Sequence, residues 1–307
     1  MVDYAKIAKD ARKTVLRLIY KAQVSHIGSN FSCADIMAVL FEKIDLDKDK
    51  FVLSAGWKAA MLYYHLWRKG RITEEELNSY CQPGSKWIGL SEPIHKDIKI
   101  AGGSMGMGLP GAVGLALAKK LKANNCERCK RVLENEKPGS LYPSSHGGCP
   151  CECHGKVYVL ASDGEMDCGT TWESALIAAH HKLDNLVVIV DCNKFQATGR
   201  TKEILEIDGR SGGYEEIGTS LEEKWLTFNW DVFSINGHSY DAINKATDPK
   251  AISLYFMTRR KRPKIIIAHT VKGKGVSFME KDGLVWHYRN VDDDSYKLAL
   301  KELNKYV

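Results

Sequence analysis

Nothing in this chain of 307 residues approaches the uninterrupted run of roughly 20 apolar residues that a bilayer-spanning helix requires. The opening residues, Met1-Val2-Asp3-Tyr4-Ala5-Lys6, lack the apolar core of a secretory signal and pass straight into an amphipathic pattern. Membrane insertion and export are therefore not expected, and the expected compartment is the cytoplasm. A large charge excess is also missing. The 44 basic and 38 acidic residues leave a net charge of +6, too little to signal nucleic acid but suited to an anionic ligand. A disulfide framework is disfavoured, because the nine cysteines are odd in number and five of them fall in one short stretch. No internal repeat is visible. What remains is an ordinary globular balance, 44% apolar and 27% charged, able to fill the core of one large α/β domain or two small ones.

Periodicity organises the chain. Tyr4, Ile7, Ala8, Ala11, Val15, Leu18, Ile19 and Ala22 keep helical spacing, and a second helix runs through Met37 to Phe41. Phe51 to Leu53 reads as a short strand followed by a helix from about Trp57 to Trp67. A glycine-dense turn, Gly102 to Gly108, opens a helix that reaches about Ala123. Val157 to Leu160 and Leu186 to Val190 are continuous apolar runs, the pattern of strands buried on both faces. Asp231–Ile235 and Lys264–Ala268 repeat the strand signal, with helices at about 170–182, 220–228 and 240–246 between. Strands alternating with helices imply an α/β fold with a parallel sheet flanked by helices on both faces. The segment 124–156 interrupts this pattern: it is polar, holds three prolines and carries the clustered cysteines, as expected of an insertion.

The strand from Val157 runs into Ser162-Asp163-Gly164-Glu165, and the next strand into Asp191-Cys192-Asn193-Lys194-Phe195. In an open parallel sheet ligands gather beyond the carboxyl ends of the strands. Asp163 and Asn193 should therefore converge although 30 positions apart. Either residue alone would more often end a strand or cap a turn; the ordered pair suits a hard cation. A carboxylate, an amide oxygen and the Phe195 carbonyl can hold Mg²⁺ (or Ca²⁺) while a diphosphate and water complete its shell. Gly106 to Gly111 also fits the dinucleotide fingerprint G-x-G-x-x-G, but neither a preceding strand nor the acidic residue about 20 positions on accompanies it.

These residues resemble a known family. Asp163-Gly164 followed at this distance by Asn193 is similar to the thiamine diphosphate motif, and Val157–Gly199 resembles the diphosphate-binding (PP) part of transketolase. Ser25-His26-Ile27-Gly28, Gly103-Ser104-Met105-Gly106-Met107-Gly108, Asn236-Gly237-His238, Thr270 to Val276 and Trp286-His287 resemble further motifs of that family in the same order. The resemblance covers nearly all of residues 1–307 outside the insertion, so the chain reads as one PP domain interrupted at 124–156. It stops where the family's first domain stops, and the similarity is to the separate N-terminal subunit of a split transketolase. A C-terminal partner subunit would then supply the pyrimidine-binding domain and the glutamate that activates the cofactor, with self-association to a heterotetramer. The α subunit of a 2-oxo acid dehydrogenase shares the cation motif, and a non-catalytic zinc-bearing interaction protein on the same fold is a third reading.

The resemblance also implies roles. Asp163, Asn193 and the Phe195 carbonyl would hold the cation; Gly103, Ser104, Met105, Gly164 and Glu165 would line thiamine diphosphate. His26 and His287 would bind hydroxyls of a small sugar substrate and assist proton transfer, with Lys272 beside the cofactor and substrate channel. Three departures stand out. Trp57 and the Leu90-Ser91-Glu92-Pro93 run stand where the family has substrate-binding histidines, and Cys168 stands where a glutamate joins an interface proton network.

Cys126-Glu127-Arg128-Cys129 forms one metal knuckle, and Cys149, Cys151 and Cys153, with His146 and His154 nearby, offer a second. Four such ligands suit a structural Zn²⁺. The insertion precedes the strand ending at Asp163, so it should emerge at the amino edge of the sheet, opposite the cofactor.

Overall fold

The computed structural model describes residues 2–126, 155–205, 220–249, 251 and 261–306. Five parallel strands, β1 (Lys50–Leu53), β2 (Val157–Ser162), β3 (Leu186–Cys192), β4 (Asp231–Asn236) and β5 (Lys264–His269), form one sheet in the order β1-β2-β3-β5-β4. All carboxyl ends therefore lie along one edge. The expectation of a parallel sheet holds.

Helices α1 (Tyr4–Ala22), α2 (Ile27–Ser32), α3 (Ala34–Lys43), α4 (Ala59–Arg68) and α5 (Glu74–Asn78) precede α6 (Gly108–Asn125). After β2 come α7 (Gly169–His180), α8 (Thr201–Ile204), α9 (Leu221–Thr227) and α10 (Tyr240–Ala246). Three more, α11 (Ser277–Lys281), α12 (Val285–Tyr288) and α13 (Asp293–Lys305), follow β5. The helix expected from about Trp57 starts instead with a 3₁₀ turn, Gly56–Lys58, because Lys58 is drawn into the interior. Six helices carried no expectation from the pattern: α2, α5, α8, α11 and α12, each six residues or shorter, and α13, whose start is capped by Asp292 accepting from Ser295 N–H.

Strand alternation sorts the core into two halves. Phe51, Leu53, Tyr158, Leu160, Val187, Ile189 and Ile266 pack with α1, α3 and α4 on one face. Val52, Val157, Val159, Val188, Val190, Ile265 and Ile267 pack with α6, α7 and α9 on the other. Each interior Val, Leu or Ile contributes roughly 1.5–3 kcal/mol of transfer free energy, which is why both faces of β2 and β3 are buried throughout.

One polar cluster sits in this apolar frame at the carboxyl edge. Asp191, fully buried, accepts from Lys58 Nζ at 2.5 Å, from Ser32 Oγ at 2.5 Å and from Thr270 Oγ1. It thereby ties β3 to α2, to the turn after β1 and to the residue following β5. Removing one member of a buried ion pair strands the other charge and costs about 3–5 kcal/mol. Denaturant unfolding of Lys58→Met should show a loss of that order, and the double variant Lys58→Met/Asp191→Asn should be more stable than Lys58→Met alone. A double variant no better than the single one would show that the stranded charge is not the cause.

Candidate active site

Asp163 follows β2 directly, in a 3₁₀ turn, and the two strand ends meet there. Its Oδ2 accepts from Lys194 N–H at 2.5 Å and its Oδ1 from Gly164 N–H at 3.0 Å. Asn193, just past β3, is oriented from both sides: Nδ2 donates to Asp191 Oδ2 at 3.5 Å, and Oδ1 accepts from Phe195 N–H at 3.1 Å. Asp163 is 3% exposed. Burial first, then the charge of Asp191, pushes its carboxyl up to about 7, against the Lys194 N–H bond, Lys58 and Lys272. Among the described residues no group of three or more His, Cys, Asp or Glu could hold a metal ion. A cation here would rest on one carboxylate, one amide oxygen and one backbone carbonyl. The fit is good, because these are hard oxygen donors and a buried carboxylate is most in need of a positive neighbour.

The glycine turn closes the site from the β1 side. Gly106 has φ +78°, a conformation L side chains rarely adopt, and a Cβ there would meet Cys168 Cβ at 2.6 Å. Thr170 Oγ1 donates to Gly106 O at 2.8 Å. The start of α6 lies against Ser54, so closely that a Cβ on Gly108 would come within 2.5 Å of Ser54 Cα. Ser104 and Met105 are exposed at the tip, Gly103 is half-buried, and Met105 Sδ lies 3.7 Å from where a Cβ on Gly164 would stand. Met105 thus bridges the glycine turn and the Asp163 turn.

Glu165 has a different place from its neighbours. It is 1% exposed and both oxygens are taken by the protein. Oε1 accepts from Ser54 Oγ and from Gly106 N–H, and Oε2 accepts from Ser162 N–H at 2.9 Å. Its task is to pin the glycine turn to the end of β2.

On the other side the structure brings together His26, Lys272 and His287. Lys272 Nζ donates to His287 Nδ1 at 2.6 Å, which leaves the ring proton of a neutral His287 on Nε2. The His26 and His287 rings meet edge-on at 5.2 Å, and His26 N–H donates to His287 O at 3.1 Å. Burial, then the charge of Lys272, lowers His26 to about 4 and His287 to about 3. Both imidazoles are neutral near pH 7 and able to donate or accept. Lys272, 1% exposed, is lowered to about 8, mainly by burial, and stays cationic near pH 7. Its Nζ lies 5.7 Å from the centre of the Phe195 ring, which joins this trio to the Asp163–Asn193 side.

The departures occupy the same edge. Asn30 Nδ2 donates to both His26 O and Trp57 O, which links the backbone at Trp57 to the backbone at His26. Leu90 and Glu92 flank Gly103: Leu90 Cδ1 lies 3.4 Å and Glu92 Oε1 3.7 Å from where its Cβ would be. Sequence reasoning missed Asp191 and Lys58. Asp191 stands two positions before Asn193 in the same strand-end run, a usable signal; nothing marks Lys58 as interior. Cys126 follows α6 at its carboxyl end, while Cys129, Cys149, Cys151 and Cys153 lie outside the described residues. Gly155 lies against Lys48 O, and Lys156 N–H donates to Asp49 at 2.7 Å, so the chain re-enters the fold at the amino edge.

Known proteins resemble this chain in sequence and fold. Residues 4–137 and 146–301 match the family described as "Transketolase, thiamine diphosphate binding domain". An apulose-4-phosphate transketolase subunit from Phocaeicola vulgatus is 29% identical over 306 residues, covering 96% of this chain and 92% of that protein. The 6-deoxy-6-sulfo-D-fructose transketolase subunit SqwG of a Clostridium species is 30% identical, covering 99% and 97%. Among solved structures, the Campylobacter jejuni transketolase superposes with a TM-score of 0.75 at 26% identity, covering 99% of this chain and 43% of that one. The chain thus spans about two-fifths of the solved transketolase and nearly the full length of the two separate subunits. It belongs to the transketolase family and corresponds to that family's thiamine diphosphate binding domain.

Proposed function

We propose that this chain is the N-terminal subunit of a thiamine-diphosphate-dependent transketolase, moving a two-carbon ketol unit between sugars or sugar phosphates together with a C-terminal partner subunit. The family match favours this over the α subunit of a 2-oxo acid dehydrogenase. The observation that carries it is the 2.5 Å bond from Lys194 N–H to Asp163, which holds the carboxylate of one strand end against the backbone of the next, one residue past Asn193.

In this reading Asp163, Asn193 and the Phe195 carbonyl hold Mg²⁺ (or Ca²⁺), while Gly103, Ser104, Met105 and Gly164 line the cofactor and Glu165 keeps their turn in place. Bound thiamine diphosphate would supply a carbanion equivalent that accepts the ketol fragment. The residues of this chain do the rest of what falls to this half of the site. His287, its Nδ1 engaged by Lys272, directs Nε2–H at a substrate hydroxyl, and His26 stands beside it to pass or receive a proton. Lys272 adds positive charge for an anionic substrate. Two relatives are named for apulose-4-phosphate and 6-deoxy-6-sulfo-D-fructose, and a small anionic ketose is the substrate class we infer here. The partner supplies the pyrimidine-binding domain, and pairs of the two subunits assemble as a heterotetramer in the cytoplasm. A structural Zn²⁺ on Cys126, Cys129 and two of Cys149, Cys151, Cys153, His146 and His154 would organise the 124–156 segment away from the catalytic edge.

Calorimetry with thiamine diphosphate and Mg²⁺ tests the reading in the complex with the partner subunit. Binding is expected, with Asp163→Asn weakening it by more than about 100-fold; no binding by the complex would overturn the assignment.

Asp163 also sets a pH dependence. Its folded pKa is raised, so its contribution to stability is full below the unfolded value and is lost as pH rises to about 7. A cation reverses this cost. Mg²⁺ affinity should therefore rise about tenfold per pH unit below 7 and level off above it, and an affinity flat between pH 5.5 and 7 (roughly the rising limb) would contradict the role of Asp163.

Metal analysis should find one zinc per chain, lost in Cys126→Ser; absence of stoichiometric zinc would remove the metal from the account.

A further inference from the structure

His238 lies just past β4, and no step of ketol transfer falls to it. Val271 N–H donates to His238 Nε2 at 2.8 Å, so that nitrogen carries no proton. The ring proton then sits on Nδ1, 2.7 Å from Asp35 Oδ2. Asp35 is itself fixed from several directions. It is 1% exposed, accepts from Arg12 at 3.0 and 2.7 Å through both terminal nitrogens, and accepts from Tyr240 Oη at 2.9 Å. A carboxylate held by α1 and α10 therefore sets the tautomer and the direction of the imidazole, in the manner of the outer partners that orient working histidines elsewhere.

What the imidazole holds is one peptide group. Val271 is 38% exposed and its side chain contributes little packing, whereas the next residue, Lys272, is buried with its Nζ on His287. The bonds on either side, Thr270 N–H to Cys192 O at 3.1 Å and Gly273 N–H to Gly28 O at 3.0 Å, anchor the segment to β3 and α2. His238 secures the amide between them.

We propose that His238 is a positioning residue for Lys272, acting through the Val271 N–H rather than by touching substrate or cofactor. The inference rests on the transketolase reading for its purpose, but its geometry stands on the chain alone. It assigns the Asn236-Gly237-His238 run a task in aiming the Lys272–His287 pair.

The test uses the full chain and three variants. His238→Gln keeps an acceptor near the Nε2 position, His238→Asn keeps only a donor for Asp35, and His238→Ala keeps neither. Two readouts are followed near neutral pH without cofactor: amide hydrogen exchange at Val271, and the acetylation rate of Lys272 by acetic anhydride, located by peptide mass mapping. Asn and Ala should raise Val271 exchange by about tenfold, the loss of one hydrogen bond, and change the Lys272 rate, while Gln restores both toward the unmodified chain. Thr270 N–H serves as the control, because general loosening would expose it as well. An unchanged Lys272 rate in Asn and Ala, or Val271 exchange equal in Asn, Gln and unmodified chains, would overturn the proposal, as would parallel exposure of Thr270. Thiamine diphosphate binding by the reconstituted complex, measured separately, judges the transketolase reading, so failure of one is distinguishable from failure of the other.

Discussion

The ion pair between Lys58 and Asp191 is the constraint on which the catalytic edge depends. Two carboxylates, Asp163 and Asp191, are buried at the ends of adjacent strands, where mutual repulsion and desolvation both oppose their charge. Lys58, fully buried, answers one of them at 2.5 Å. With Asp191 neutralised in this way and held by Ser32 and Thr270, it can in turn orient Asn193. The remaining carboxylate, Asp163, is then the one available to an external cation. A single interior lysine thus separates a structural acid from the acid proposed as the cation ligand.

The catalytic edge has two halves with opposite electrostatics. Asp163 and Asn193 offer oxygens; Lys272 offers positive charge, and the neutral His26 and His287 offer imidazole nitrogens. Phe195 stands between them, its backbone on one side and its ring near Lys272 on the other. In the proposed reading, this separation would let a diphosphate with its cation and a polyhydroxylated substrate occupy neighbouring regions. Glu165 and Arg12 contribute differently: each is wholly buried, each bonds only within the protein, and each holds a segment in place.

Much of this was legible in the sequence because it depends on local pattern. The apolar runs at Val157 and Leu186 give strands buried on both faces, and parallel strands bring Asp163 and Asn193 to one edge by geometry alone. His26, Lys272 and His287 came from resemblance to a family, since no spacing rule joins position 26 to position 287. What escaped reading depends on long-range partners. Lys58 reads as a surface lysine until Asp191, more than a hundred positions away, explains its burial. Arg12 breaks the apolar stripe of α1 and reads as solvent-facing until Asp35 is seen beside it. Glu165 sits in a cofactor motif yet faces Ser54 and Gly106, because side-chain direction after a strand end is set by the turn.

The amino edge of the sheet has a consequence of its own. Lys119 Nζ reaches Lys48 O at 2.8 Å, Asn185 Nδ2 reaches Ala116 O at 2.8 Å, and Gly155 lies so near Lys48 O that no side chain fits there. The scaffold is therefore already latched shut on both flanks of the cysteine-bearing stretch, on the side remote from the chemistry. Backbone that leaves the fold at Cys126 and returns at Gly155 therefore does so between two anchored ends.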